Sequence, residues 1–243
     1  MRSLLVLLFA TLFSTACLAG ENLTYSVDGR SYEGYVAKAG PDAPLIVIIH
    51  DLDGLTDYEI KRAEMLVGLG YNVFAADLYG AGVRPTTLDD KKKKTSDLYK
   101  DRPTMRTLLN GALDAAKAAG LNTGNAVVVG YCFGGAAVLE LARSGADLKG
   151  FVAFHGGLAT PEGQDYSSTK GKLLILHGSA DTAVSLDEFA ALAKTLEEKQ
   201  VAHEMITYSG APHAFSVFDT PAYREDADKK SWKRFSEYLS ETL

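Results

Sequence analysis

The sequence predicts an α/β fold built on a mostly parallel sheet of about seven to eight strands, with helices on both faces. Short, β-branched apolar runs recur along the chain, and segments with apolar residues at three- and four-residue spacing separate them. Uninterrupted apolar runs suit strands buried on both faces, and alternating strands and helices favour parallel pairing. With 243 residues, 47% of them hydrophobic, the chain can bury one substantial core.

Residues 1–19 have the features of an export signal. A positively charged start precedes an apolar stretch from Leu4 to Phe13 and a small-residue region ending at Ala19. The stretch is shorter than the roughly 18 residues that span a bilayer, and no later segment is long enough. We therefore expect cleavage after Ala19, export to the periplasm and a single domain over 20–243. Lipid attachment at Cys17 is the alternative.

Strands and helices then alternate along the mature chain. Residues 23–27 and 31–37 flank a tight-turn sequence at Asp28-Gly29 and predict a hairpin at one edge of the sheet. Buried strands are predicted at 45–49, 73–76, 126–129, 151–154, 173–176 and 205–208. Helices are predicted at 57–69, 104–119, 134–144, 185–199 and 226–241.

The segment 80–103 interrupts this alternation. It contains the run Asp89-Asp90-Lys91-Lys92-Lys93-Lys94 and has no core-forming period. Its simplest interpretation is a solvated surface loop. The alternative is a cap beside a functional site, where its lysines would favour anionic substrates, although exposed charges are strongly screened.

The motif Gly130-Tyr131-Cys132-Phe133-Gly134 follows the predicted strand 126–129 directly. A strand followed by Gly-x-nucleophile-x-Gly is typical of a nucleophile elbow, a sharp strand-to-helix turn that exposes one reactive side chain. Glycines are needed at its ends because the turn packs closely against its neighbours. We therefore expect Cys132 to be a nucleophile. It is one of 2 cysteines and the only one outside the predicted signal, so the mature domain has no internal disulfide.

A cysteine nucleophile needs a base to take its proton and an acid to orient that base. Of the 5 histidines, His213 lies in a turn-rich loop between the last predicted strand and the final helix. Asp181 follows the preceding predicted strand. The order nucleophile, acid, histidine leaves enough chain for each residue to return to the same sheet edge. Asp187 and Glu188 are rivals to Asp181 by position, although capping of the predicted helix that they begin explains them.

The remaining polar residues at strand ends suggest an oxyanion hole and structural roles. One oxyanion N–H is expected from Phe133, at the start of a helix, and the second from Leu52, after the first long strand. His50 and His155 each end a buried strand, where a histidine commonly bonds to a loop carbonyl. No histidine pair has metal-ligand spacing, so neither a metal site nor a cofactor is expected.

Together these motifs resemble those of the dienelactone hydrolase family of α/β-hydrolases. The matching segments are His50-Asp51-Leu52-Asp53-Gly54-Leu55, Ala76-Asp77-Leu78-Tyr79-Gly80, Gly130-Tyr131-Cys132-Phe133-Gly134-Gly135, Leu176-His177-Gly178-Ser179-Ala180-Asp181 and Pro212-His213-Ala214-Phe215. The resemblance implies an α/β-hydrolase fold and a Cys-His-Asp triad, carried here by Cys132, His213 and Asp181.

The pattern departs from the family at two positions. Family members have a glutamate that contacts the resting thiol, and the aligned residue here is Asp51, one methylene shorter. Dienelactone-cleaving members have a substrate-binding arginine just beyond the catalytic histidine, and this chain has Val217 there. Arg84 and Tyr131 are then the candidates for substrate binding.

The sequence thus predicts a hydrolase of activated carboxylic esters or lactones that acts through a thioester acyl-enzyme. A thioesterase of the same mechanism and a non-catalytic binding domain on this scaffold are the alternatives. A redox protein is disfavoured, because the mature chain has no second thiol to resolve an oxidised cysteine. The partner expected is a small-molecule ester or lactone bound by a monomer. The net charge of −6 argues against nucleic acid, and no membrane span is expected.

Overall fold

The computed structural model describes residues 20–243. The predicted signal segment, with its cleavage point and Cys17, lies outside the described residues. The elements follow the chain as β1 (Glu21–Val27), β2 (Arg30–Ala37), β3 (Leu45–Ile49), α1 (Asp57–Gly68), β4 (Asn72–Ala76), α2 (Leu88–Lys100), α3 (Arg102–Ala118), β5 (Ala126–Tyr131), α4 (Phe133–Arg143), β6 (Gly150–Phe154), β7 (Lys172–Gly178), α5 (Leu186–Glu198), β8 (His203–Tyr208) and α6 (Glu225–Thr242).

All eight described strands form one sheet in the order β1-β2-β4-β3-β5-β6-β7-β8. The strands from β4 to β8 in that order pair in parallel, and the β1–β2 hairpin joins β4 in antiparallel fashion at one edge. The predicted α/β fold with a largely parallel sheet is confirmed. Its central strands β3, β4, β5 and β6 are buried along their whole length, which explains their uninterrupted apolar sequences.

Two apolar layers cover the sheet. Side chains of α3, α4 and α5 pack on one face, and side chains of α1 and α6 pack on the other. Because parallel strands present their carboxyl ends at one edge, the loops after β3, β5, β7 and β8 converge there. None of the helices described in residues 20–243 combines the length and apolarity needed to cross a bilayer.

The interpretation of residues 80–103 as a surface loop was wrong over residues 88–100. Helix α2 occupies Leu88–Lys100, and the side chain of Thr87 caps it by accepting a hydrogen bond from Asp90 N. No residue of α2 is fully buried, so the apolar periodicity that reveals the other helices is absent. Capping and the Lys93–Asp97 pair one turn apart support it instead.

Candidate active site

Cys132 lies at a sharp turn between β5 and α4. Its backbone has φ +52° and ψ −112°, a conformation that side-chain-bearing residues rarely adopt. A Cβ at Gly130 would lie 2.1 Å from the carbonyl oxygen of Gly134. A Cβ at Gly134 would lie 2.3 Å from the carbonyl oxygen of Ile49, so only glycine fits at either position. The turn has the geometry that the elbow motif predicts.

The structure brings Cys132, His213 and Asp181 together in one line of contacts. His213 Nε2 lies 3.0 Å from Cys132 Sγ, and His213 Nδ1 lies 2.8 Å from Asp181 Oδ2. The three residues come from the loops after β5, β8 and β7, which explains how residues far apart in sequence meet at one sheet edge. Asp187 and Glu188 are on α5, where Glu188 forms a capping box with Ser185.

Asp181 is held as a carboxylate by backbone donors. Its Oδ1 accepts hydrogen bonds from Ala183 N at 2.8 Å and Val184 N at 2.9 Å, while Oδ2 faces His213. Burial alone would raise the pKa of Asp181, but the hydrogen bonds from His213 and these amides hold it below its ordinary value. The aspartate is therefore charged and fixes the orientation of the imidazole.

The contact with Asp181 raises the pKa of His213. Burial lowers the pKa of His213, but the hydrogen bonds to Asp181 and Cys132 outweigh it and raise the pKa from 6.5 to about 10. The positively charged imidazole is thus stabilised between a carboxylate and a sulfur. This arrangement can accept and return a proton at Cys132 Sγ.

Two backbone N–H groups, those of Phe133 and Leu52, have no hydrogen-bond partner among the described residues. Phe133 is the first residue of α4, and its N–H has no hydrogen bond within residues 20–243; the same holds for Leu52 N–H. Leu52 is positioned by its carbonyl, which accepts a hydrogen bond from Tyr79 Oη at 3.2 Å. An unpaired N–H group can stabilise negative charge, as an oxyanion hole requires, and that of Phe133 has the further advantage of lying at a helix start.

The loop that carries Leu52, residues 50–55 (the oxyanion loop), contributes one member of a buried carboxyl pair, and α1 contributes the other. Asp51 Oδ1 accepts from Asp53 N at 2.7 Å, and Asp51 N lies 3.4 Å from Glu59 Oε1. Burial is the main cause that raises the pKa of Asp51 to about 6 and that of Glu59 to about 8, and the Asp51 charge raises Glu59 further. Within the described residues no hydrogen bond joins Asp51 to Cys132, because the shorter carboxylate bonds to its own loop.

Two residues predicted to bind substrate have other surroundings. Tyr131 is 0% exposed, and its ring packs against Tyr58 and Phe154. The prediction for Tyr131 was wrong, because side chains alternate along β5 and this one points into the α1–α6 layer. Arg84 is partly exposed, donates to the carbonyl of Val83 at 2.9 Å and lies 3.9 Å from Asp77 Oδ1.

Helix α2 lies in the segment 80–103, for which a cap beside the site is the alternative interpretation, and it borders the site together with Tyr79. No role was predicted for Tyr79 or Tyr99. Lys91 Nζ of α2 lies 2.8 Å from Asp53 Oδ2 of the oxyanion loop. The rings of Tyr99 and Tyr79 lie 5.5 and 6.0 Å from that of Phe133. Burial is the main cause that raises the pKa of both tyrosines, so they remain neutral.

The predicted structural role of His50 agrees with its contacts. His50 Nδ1 lies 2.6 Å from the carbonyl of Asp51, and Nε2 accepts from Leu78 N at 3.1 Å. His155 pairs with the hydroxyl of Ser216 at 2.8 Å rather than with a loop carbonyl. In residues 20–243 no group of three or more His, Cys, Asp or Glu side chains is placed to hold a metal ion.

Comparison with known proteins gives one consistent result. Residues 32–243 match the model of the dienelactone hydrolase family. Carboxymethylenebutenolidase 1 of Cupriavidus pinatubonensis is 32% identical over 145 residues, which cover 56% of this chain and 61% of the relative.

Two solved structures resemble the protein over most of its length. One, named m3DLH, has a TM-score of 0.86 and 28% identity and covers 92% of this chain and 98% of the other. The second is a dienelactone hydrolase-like promiscuous phosphotriesterase from metagenomic libraries, with a TM-score of 0.85, 27% identity and the same coverage. The chain therefore belongs to the dienelactone hydrolase family of α/β-hydrolases.

Proposed function

We propose that the protein hydrolyses activated carboxylic esters and lactones through a triad of Cys132, His213 and Asp181. Family membership makes the protein a hydrolase of esters or lactones. The observation that carries the finer proposal is the pair of contacts at His213, 3.0 Å from the sulfur and 2.8 Å from the carboxylate.

The reaction begins from the state in which His213 Nε2 holds the proton given up by Cys132. The thiolate attacks the carbonyl carbon, and the N–H groups of Leu52 and Phe133 stabilise the oxyanion. His213 then gives its proton to the leaving alkoxide, which leaves a thioester on Cys132. Water enters, His213 removes its proton as the oxygen attacks the thioester carbonyl, and collapse of the second tetrahedral intermediate breaks the bond to sulfur. The acid is released, and Cys132 leaves as the thiolate beside protonated His213. Asp181 keeps the imidazole in the required tautomer throughout.

A cysteine nucleophile favours substrates with good leaving groups. The thiolate forms more readily than an alkoxide, but it is also expelled more readily from the tetrahedral intermediate. With amides or simple alkyl esters the intermediate would often revert. Enol lactones, aryl esters and thioesters avoid this, because their leaving groups compete with sulfur.

The test is an activity screen on an enol lactone, p-nitrophenyl acetate and a thioester, with wild type beside Cys132→Ser and Cys132→Ala. We expect hydrolysis by the wild type, an acetyl group trapped on the Cys132 peptide after acid quenching, and no turnover by Cys132→Ala. Equal activity in all three proteins would contradict the proposal. Turnover of the thioester alone would favour the thioesterase alternative, and no turnover of any substrate would favour the binding domain.

A second candidate activity is hydrolysis of phosphotriesters. The similarity to the promiscuous phosphotriesterase favours it, and the same thiolate would attack phosphorus in place of carbon. Paraoxon belongs in the same screen. Release of p-nitrophenol that depends on Cys132 would support this activity, and release that persists in Cys132→Ala would oppose it.

We further propose that the protein is exported, that residues 1–19 are its signal peptide and that 20–243 form one domain. The apolar stretch and the small residues before Gly20 support this. The mature N-terminus, sequenced from a periplasmic fraction, is expected to be Gly20. A lipid on Cys17 would establish the alternative, and an uncleaved chain in the cytosolic fraction would oppose both.

A further inference from the structure

A buried arginine contacts the loop that carries His213 of the candidate triad. Arg62 of α1 is 0% exposed. One of its nitrogens, Nη2, donates to the carbonyl of Ser216 at 2.8 Å and to Asp228 Oδ1 of α6. Its guanidinium also faces the rings of Phe218 and Trp232, 4.1 and 4.8 Å from the ring centres. The arginine therefore joins three parts of the chain at one point.

Two of those contacts are with the loop that carries His213, residues 209–224 (the histidine loop). Ser216 and Phe218 come three and five residues after His213, so they lie in the short segment that sets its position. Inside the loop, Arg224 N donates to the carbonyl of Phe215 at 2.9 Å, which closes the segment on itself. Without Arg62, the carbonyl of Ser216 and the carboxylate of Asp228 would lose a buried cationic donor.

A chain of hydrogen bonds leads from Arg62 to the ring beside His213. Arg62 Nε donates to Tyr58 Oη at 3.3 Å, Tyr58 Oη lies 2.9 Å from Ser216 Oγ, and Ser216 Oγ lies 2.8 Å from His155 Nε2. Because a guanidinium only donates, Tyr58 can donate onward to Ser216 and Ser216 to His155. The ring of His155 then meets that of His213 edge-on, with centroids 5.5 Å apart.

His155 is suited to support and not to proton transfer. It is fully buried, and burial, followed by the adjacent charge of His213, lowers its pKa well below the ordinary value. A neutral ring can sit beside the imidazolium of His213 without repelling it.

We propose that Arg62 is a positioning residue for His213, acting through its bonds to Ser216 and Asp228 and through the Tyr58–Ser216–His155 chain. It holds the histidine loop so that the imidazole reaches Cys132 Sγ at 3.0 Å. This inference rests on the proposed role of His213, but its main readout is the reactivity of the thiol and not hydrolysis.

The test compares Arg62→Met with Arg143→Met as a matched control. Arg143 is another buried arginine, paired with Glu140 at 2.8 Å, bonded to Tyr166 Oη at 2.7 Å and stacked on the Tyr166 ring, but it lies at the far end of α4 from Cys132. Each variant thus loses a buried arginine–carboxylate pair and an aromatic contact. We measure the pH profile of iodoacetamide alkylation at the Cys132 peptide, together with kcat and KM for p-nitrophenyl acetate.

For Arg62→Met we expect the alkylation profile to move to higher pH and kcat to fall about a hundredfold, the loss typical of a misplaced catalytic group, with KM little changed. Arg143→Met is expected to lose stability and to keep the wild-type alkylation profile. An unchanged profile in folded Arg62→Met would overturn the proposal, and so would an equal shift in Arg143→Met.

Ser216→Ala tests the positioning role of Arg62 if Arg62→Met does not fold. This change removes only the hydroxyl between Tyr58 and His155, and we expect kcat to fall about tenfold with a smaller shift of the profile in the same direction. A wild-type profile in Ser216→Ala would then overturn the proposal. If the alkylation profile shifts in Arg62→Met as expected but the wild type hydrolyses no ester, the proposed function fails and the positioning role of Arg62 stands.

Discussion

The charges at the candidate triad depend on one carboxylate. Asp181 receives two backbone N–H groups through one oxygen and His213 through the other, so both of its oxygens are committed. The aspartate therefore does not merely lie near the histidine. It sets which nitrogen of the imidazole carries the proton and raises the pKa of the ring.

The first prediction follows at this scale. Asp181→Asn keeps the shape but removes the charge, and its amide can present a donor to His213 Nδ1, which favours the wrong tautomer. We expect kcat for p-nitrophenyl acetate to fall on the order of a thousandfold or more. Asp187→Asn, at the start of α5, is the matched control and should keep wild-type kcat. Comparable losses in the two variants would identify Asp187 as a rival acid and contradict the assignment.

Helix α2 is the element that depends least on the core. It has no fully buried residue, and its contacts with the site are the Lys91–Asp53 ion pair and the ring of Tyr99. Asp53 is next to Leu52 in the oxyanion loop, and its N–H bonds to Asp51. Lys91 therefore stabilises the conformation of a loop that would bind the oxyanion, while it adds little to the stability of the fold.

The second prediction separates these two effects. For Lys91→Ala we expect a loss in free energy of unfolding below about 1 kcal/mol, because the pair is partly solvated, and a several-fold fall in kcat/KM. Lys93→Ala removes a pair with Asp97 inside the same helix and should leave kcat/KM unchanged. The measurements are urea unfolding and steady-state kinetics. Parallel behaviour of the two variants would show that Lys91 has no special role.

At the scale of the whole molecule, the stability of the fold depends on pH through His213. Its pKa is raised from 6.5 to about 10, so the folded state holds this proton more tightly than the unfolded state. The resulting stabilisation is fully present below pH 6.5 and is lost as the pH rises through about 10.

The third prediction uses this window. We expect the difference in free energy of unfolding between wild type and His213→Gln to be largest below pH 6.5 and to shrink steadily toward pH 10. Urea unfolding at several pH values measures it. In a Cys132→Ser background the dependence should weaken, because the sulfur is one of the groups that raise the pKa. A difference that stays constant or grows with pH would refute the linkage.

The sheet and the site are predicted from different kinds of sequence signal. Strands such as β3 and β5 can be predicted from the sequence, because burial on both faces requires continuous apolar residues. Cys132, Asp181 and His213 were found through the elbow motif and their order along the chain, and the structure brings them together. Tyr131 was misassigned because it is adjacent to Cys132 in sequence. Side chains alternate along β5, so Tyr131 is buried although Cys132 reaches the site.

Other residues gave weaker signals. Helix α2 has no apolar stripe, since it packs through only a few side chains and capping supports the rest. Arg62 is four residues after Tyr58 on the apolar side of α1, and a charge at such a position indicates a buried pair. Its partners Ser216 and Asp228 are more than 150 residues away in sequence, so no local pattern could identify them.

Helix α1 makes contact with both halves of the candidate site. At its start, the capping box of Thr56 and Glu59 adjoins Asp51 in the oxyanion loop, and one turn later Arg62 holds the histidine loop. For protein engineering this means that neither loop is an independent module. A histidine loop transplanted from a relative would arrive without the α1 and α6 residues that hold it, so the graftable unit is the loop together with those two helix faces.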